Sequence, residues 1–264
     1  MKAFFKLSIL LLIVSCKSEP KSDNKTSEHQ QKTEAKKESP FKVMPIEHAT
    51  FVMTWADEVI YADPTGGADA FRDMPKPSLV LITDIHPDHL NIETLQNIPQ
   101  TYDIVAPKAV YEKMPKELQN KTKILSNGES FDFHGFNIKG IPMYNVTEGR
   151  LKFHTKGRGN GYVLSKDNYK VYISGDTEGI PEMRSLKDID LAFMCMNLPY
   201  TMSPEKVAEA VLSFQPKKVL PYHYRGLKDD KPYIYDVEKF KELVLSQNDA
   251  IEVSLLDWYP NQTN

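Results

Sequence analysis

From residue 41 onward the chain is a series of short apolar runs, each closed by turn-forming or charged residues. Runs 43–46, 50–54 and 58–62 predict three strands joined by tight turns, one at Ala56-Asp57. Residues 78–83 predict a buried strand, and Asn91 is placed to cap a short helix over 92–97. A second alternation follows, with strand 103–106, helix 107–113 and strand 122–125. Two hairpins are expected next. One joins 131–133 to 136–141 through Gly135, and the other joins 162–165 to 170–174 through Asp167-Asn168. Between them, 146–160 has no regular period and is rich in glycine and basic residues. The C-terminal part predicts strand 191–196, a helix from Ser203 to Phe214 with Pro204 in its first turn, strand 219–222, helix 237–245 and strand 251–256. Short, apolar strands outnumber helices. Two sheets face to face with helices outside, an α/β four-layer αββα sandwich, fit that count.

The first 40 residues follow a different pattern. Lys2 and Lys6 precede an apolar run, residues 7–14, too short to span a bilayer, and Ile13-Val14-Ser15-Cys16 resembles a bacterial lipobox. Residues 1–15 are therefore expected to be a signal peptide. Cys16 would then carry the acyl chains that hold an exported lipoprotein to a membrane of the bacterial cell envelope. Residues 17–40 hold no aromatic or large aliphatic side chain and cannot bury enough apolar surface to order, so 16–40 reads as a lipidated cysteine and tether. His29 lies there and is expected to be solvated. Residues 41–264 form one folded domain, a size one core can serve.

Composition narrows the function. A net charge of −3 without a basic stripe argues against nucleic acid as a partner. Cysteines at 16 and 195 alone make neither a disulfide framework nor a thiolate zinc site, so metal chemistry must come from His and Asp. Those residues are concentrated after the buried strand, in Asp84-Ile85-His86-Pro87-Asp88-His89. Pro87 stiffens this loop, and two carboxylates and two imidazoles on a tight loop suit a divalent cation. Two more strands end on chemical residues, Ser174-Gly175-Asp176-Thr177 and Pro221-Tyr222-His223-Tyr224. His134 and Cys195 are read as an exposed turn residue and a core residue.

In this order Asp84, His86, Asp88, His89, Asp176 and His223 resemble the metallo-β-lactamase superfamily, nearest its lactonase-like, metal-dependent hydrolase branch. Glu47-His48-Ala49-Thr50-Phe51 and Tyr61-Ala62-Asp63-Pro64 add to the likeness, which runs over residues 43–256. The resemblance implies one or two divalent ions per chain, zinc first, with manganese or iron as alternatives. One ion would take Asp84, His86 and a ligand near Asn145. The other would take Asp88, His89 and His223, with Asp176 bridging and Asp88 orienting the attacking water. Asp84 stands where the family has its first histidine, and Asn145 or Tyr144 where it has its middle one. Both changes would make the first site rich in oxygen, and His154 is placed to restore an imidazole. The implied activity is hydrolysis of a small-molecule ester, lactone or phosphodiester by metal-activated water, with Asp88 and Asp176 catalytic. The alternative is a non-catalytic or weakly catalytic lipoprotein that binds metal or ligand. His48, Lys156, Arg158, Tyr222 and Arg225 are expected to bind substrate, Lys156 and Arg158 through an anionic group.

Overall fold

The computed structural model describes residues 41–260, so the signal segment, Cys16, the tether and His29 lie outside the described residues. Strands β1 (Phe41–Glu47), β2 (Thr50–Trp55) and β3 (Glu58–Ala62) form an antiparallel meander. Three parallel strands extend it: β4 (Leu79–Leu81), β5 (Asp103–Ala106) and β6 (Thr122–Ile124). The order of this six-stranded sheet is sequential. Its crossovers contain α1 (Ile92–Asn97), α2 (Lys108–Tyr111) and α3 (Lys116–Gln119). Asn91 does cap α1, its side chain accepting the Thr94 N–H at 2.8 Å.

The second sheet begins with the antiparallel strands β7 (Ser130–Phe133), β8 (Phe136–Met143), β9 (Gly159–Lys166) and β10 (Tyr169–Ile173). After α4 (Pro181–Arg184), the chain enters the parallel β11 (Leu191–Cys195), crosses through α5 (Pro204–Phe214) and adds β12 (Lys218–Tyr222). A small hairpin, β13 (Arg225–Lys228) with β14 (Lys231–Ile234), leads to α6 (Val237–Leu245) and to β15 (Glu252–Val253), which pairs with β12. The seven strands are ordered β15-β12-β11-β10-β9-β8-β7.

Period-two alternation separates the layers. On β2, Phe51, Met53 and Trp55 point to the core between the sheets, while Val52 packs outward with Leu95, Val110 and Leu118 from the helices. The sheets meet through aromatic rings, with Phe51 stacked on Phe193 at 4.3 Å and Trp55 edge-on to Phe136. The expected strands are present with shifted ends. β9 starts at Gly159 rather than at 162, β15 is two residues long, and α2 is shorter than the expected 107–113. The β13–β14 hairpin, α3 and α4 were not anticipated. Each is too short for its period to rise above the surrounding polar sequence.

Phe51 is fully buried and joins the two sheets. Phe51→Ala is expected to lower the unfolding free energy by about 3–5 kcal/mol in a urea titration. A loss below about 1 kcal/mol would mean that this stacked pair does not hold the sheets together.

Candidate metal centre

Topology delivers the chemical residues to one edge. β3, β4, β10 and β12 finish there, as does β8, and the β1–β2 turn lies beside them. Just past these ends sit Asp63, the 84–89 loop, Asp176 and His223, with His48 in the turn. Three non-glycine residues at this edge have left-handed backbones: His48 (φ 57°), Asp63 (φ 43°) and His223 (φ 52°). Strain of this kind persists where the surroundings over-determine it, and it aims these side chains inward. Gly175 precedes Asp176 with φ 59°, and a Cβ there would lie 2.6 Å from the Met143 sulfur. Only glycine fits that turn.

His89 is wholly buried. Its Nδ1 lies 2.8 Å from Asp63 Oδ2 and 3.0 Å from Thr83 Oγ1. Thr83 donates its hydroxyl to Asp63 Oδ2 and its N–H to Asp63 Oδ1. With Nδ1 engaged outward, Nε2 faces inward, 3.3 Å from Asp176 Oδ2 and 3.3 Å from His223 Nε2. His223 Nε2 in turn lies 3.4 Å from both Asp176 Oδ1 and Asp88 Oδ2. Asp176 Oδ1 is buried with no hydrogen-bond partner. Burial alone would lower the pKa of His89, but Asp176, Asp63 and Asp88 outweigh it and hold the value well above its ordinary one. Burial would raise Asp176, yet His223 and His89 drive it well down. The cluster calls for positive charge at its centre.

His154 reaches Asp176 from the irregular segment, on the side of Asp84 and His86. Asn145 donates its side-chain N–H groups to the carbonyls of Arg150 and Tyr200, which turns Oδ1 toward His154 Nδ1 at 3.1 Å. An amide oxygen only accepts, so Nδ1 carries the hydrogen and Nε2 presents a lone pair to Asp176 Oδ2, 3.2 Å away. Asn145, expected as a ligand, thus has its amide engaged within the protein, its oxygen turned to His154, which it orients. His89, Asp176 and His223 form a wholly buried group with donor atoms within 4.8 Å of one another. Two imidazoles with carboxylates are a donor set that fits zinc, manganese or iron.

Asp88 is the open side of the centre, its side chain 41% exposed. The backbone N–H of Arg225 donates to the Tyr259 hydroxyl, which donates to His48 Nδ1 at 2.7 Å. His48 Nε2–H is left to donate to Asp88 Oδ2 at 3.3 Å. Burial, and then the nearby His223, push His48 down to about 3, so it stays neutral. His48 is thus a brace for Asp88 rather than a substrate contact.

The other expected substrate contacts are also committed within the protein. Lys156 pairs with Glu182 at 3.0 Å and donates to the Tyr144 hydroxyl. Arg158 grips Asp84 with two hydrogen bonds, of 3.0 and 2.7 Å. Tyr222 is fully buried, its hydroxyl accepting the Gly175 N–H. Arg225 pairs with Glu47 and lies over the Tyr259 ring. Asp84 and His86 sit beside His154, with His86 Nδ1 2.8 Å from Asp84 Oδ2. Asp63, Thr83 and Tyr259 were given no role at the site from the sequence, although Asp63 stands in the Tyr61-Ala62-Asp63-Pro64 motif. Asp63 alone left a signal, an acidic residue directly after a strand.

A family model described as "Beta-lactamase superfamily domain" matches residues 42–223. A "UPF0173 metal-dependent hydrolase" of Thermococcus onnurineus is 28% identical over 226 residues, covering 81% of this chain and 96% of the relative. A protein of the same name from Pelotomaculum thermopropionicum is 30% identical over 230 residues, with the same two coverages. A crystal structure described as a metal-dependent hydrolase from Parabacteroides distasonis superposes with a TM-score of 0.70 at 34% identity, covering 81% of this chain and 92% of that one. With matches extending over most of the domain, the chain belongs to the metallo-β-lactamase superfamily and to its UPF0173 metal-dependent hydrolase family.

Proposed function

We propose that this protein is a metal-dependent hydrolase of small molecules that cleaves an ester, lactone or phosphodiester with water. The observation that carries the reading is the buried carboxylate of Asp176 with the Nε2 atoms of His89 and His223 aimed at it. His89, His223 and Asp176 would hold the ion, with Asp88 at its exposed side and His154 beside the Asp176 carboxylate. A divalent cation there supplies Lewis acidity, lowering the pKa of water and polarising an acyl or phosphoryl oxygen.

The chain's own groups do the rest. His48 Nε2–H occupies Asp88 Oδ2, leaving Oδ1 to accept a hydrogen bond from water and to orient it. Asp63 fixes the His89 ring, and such carboxylate partners of ligating histidines tune affinity. His86, with its side chain 37% exposed, borders the open side where substrate enters.

The N-terminal sequence supports a place for this domain on a bacterial cell-envelope membrane, tethered through Cys16. Among the described residues no helix is long and apolar enough to cross a membrane.

Three outcomes are expected. Purified protein retains metal by elemental analysis and His89→Ala loses it; wild-type protein with no bound transition metal would remove the reading. Asp63→Asn weakens metal affinity by about 10–100-fold in a chelator competition, and unchanged affinity would show that the Asp63–His89 bond does not tune the site. Cys16→Ser abolishes incorporation of labelled fatty acid in cells, whereas undiminished labelling would exclude Cys16 as the lipidated residue.

A further inference from the structure

Asp84 is fully buried, and most of its acceptor capacity is already taken. Arg158 donates from Nε to Oδ1 at 3.0 Å and from Nη2 to Oδ2 at 2.7 Å. His86 Nδ1 lies 2.8 Å from the same Oδ2, and an ionised carboxylate only accepts, so that nitrogen carries its hydrogen. The guanidinium is itself held in place, 17% exposed, with Nη2 also donating to the Phe153 carbonyl at 2.6 Å. Asp84, His86 and His154 otherwise have the spacing of a second three-ligand ion site.

We propose that the protein holds a single metal ion, at the centre formed by His89, Asp176 and His223, and that the guanidinium of Arg158 takes the place of a second ion beside Asp84 and His86. This inference rests on the hydrolase reading above. Three physical facts carry it. Arginine cannot give up its proton, so its charge stays beside Asp84 whatever the pH. That charge neutralises Asp84 and repels a dication brought into the same group. An ion entering there would also have to disturb a buried two-pronged ion pair, leaving the guanidinium uncompensated. Among the described residues no Lys or Arg is paired with Asp88 or Asp176. Asp88 and Asp176 supply two negative charges, which one divalent ion balances.

Zinc binding to the full-length chain in detergent tests this. Protein stripped with a chelator is loaded with excess zinc, desalted and measured by elemental analysis, with folding checked by circular dichroism. Wild-type protein is expected to retain one zinc per chain, and Arg158→Gln two. The double variant Asp84→His with Arg158→Gln is also expected to retain two, and it answers the question if the single variant fails to fold. Two zinc ions on the wild type would overturn the single-ion assignment while leaving the hydrolase reading intact. Folded variants that stay at one zinc would overturn the role given to Arg158. A wild type that binds none would sink the hydrolase reading and this inference with it.

Discussion

Asp176 is a carboxylate that water barely reaches, with imidazole nitrogens from His89, His154 and His223 around it at 3.2–3.4 Å. A buried anion facing lone pairs is intolerable without compensating charge. That constraint ties together parts of the chain far apart in sequence. β4, β10 and β12 must end at one edge, and the segment before β9 must fold inward to bring His154. The two sheets must also stay face to face, which the Phe51–Phe193 stack and its neighbours provide.

The direction of each imidazole is set from behind. Asp63 and Thr83 engage His89, Asn145 engages His154, and Tyr259 engages His48. Each of these partners fixes which ring nitrogen faces inward, and so decides whether a histidine is a donor of electrons to an ion or of a hydrogen to a carboxylate. His48 and His154 illustrate the difference. Both lie close to an aspartate, yet their partners hold them oppositely, Nδ1 of His48 accepting a hydrogen and Nδ1 of His154 donating one. The left-handed backbones at His48, Asp63 and His223 belong to the same design, since ordinary strand geometry would not turn these side chains to the centre.

Much of this could be read in the sequence. The alternation on β2, the apolar run of β4 and the cap at Asn91 are local features, and local physics reports them faithfully. The dense motif from Asp84 to His89 points to a candidate metal centre because so many titratable groups on one short loop need compensating charge, which Arg158 supplies to Asp84. Asn145 and Arg158 went the other way. An amide and a guanidinium on an irregular segment carry no sequence signal of their partners, and those partners, Tyr200 and Asp84, lie 55 and 74 residues distant. The short α3, α4 and the β13–β14 hairpin escaped because their stability comes from packing rather than from their own period.

By itself the sequence determined which residue types were available, where the strands would form and that the metal chemistry would use histidine and aspartate. Only the tertiary structure decided what each of those residues does. It made Asn145 a support for His154, turned His48 toward Asp88, and locked Arg158 onto Asp84. The physical reason is that burial and backbone geometry create the partnerships, and a side chain's role at the edge of two sheets depends on which partner has already taken its hydrogen-bonding capacity.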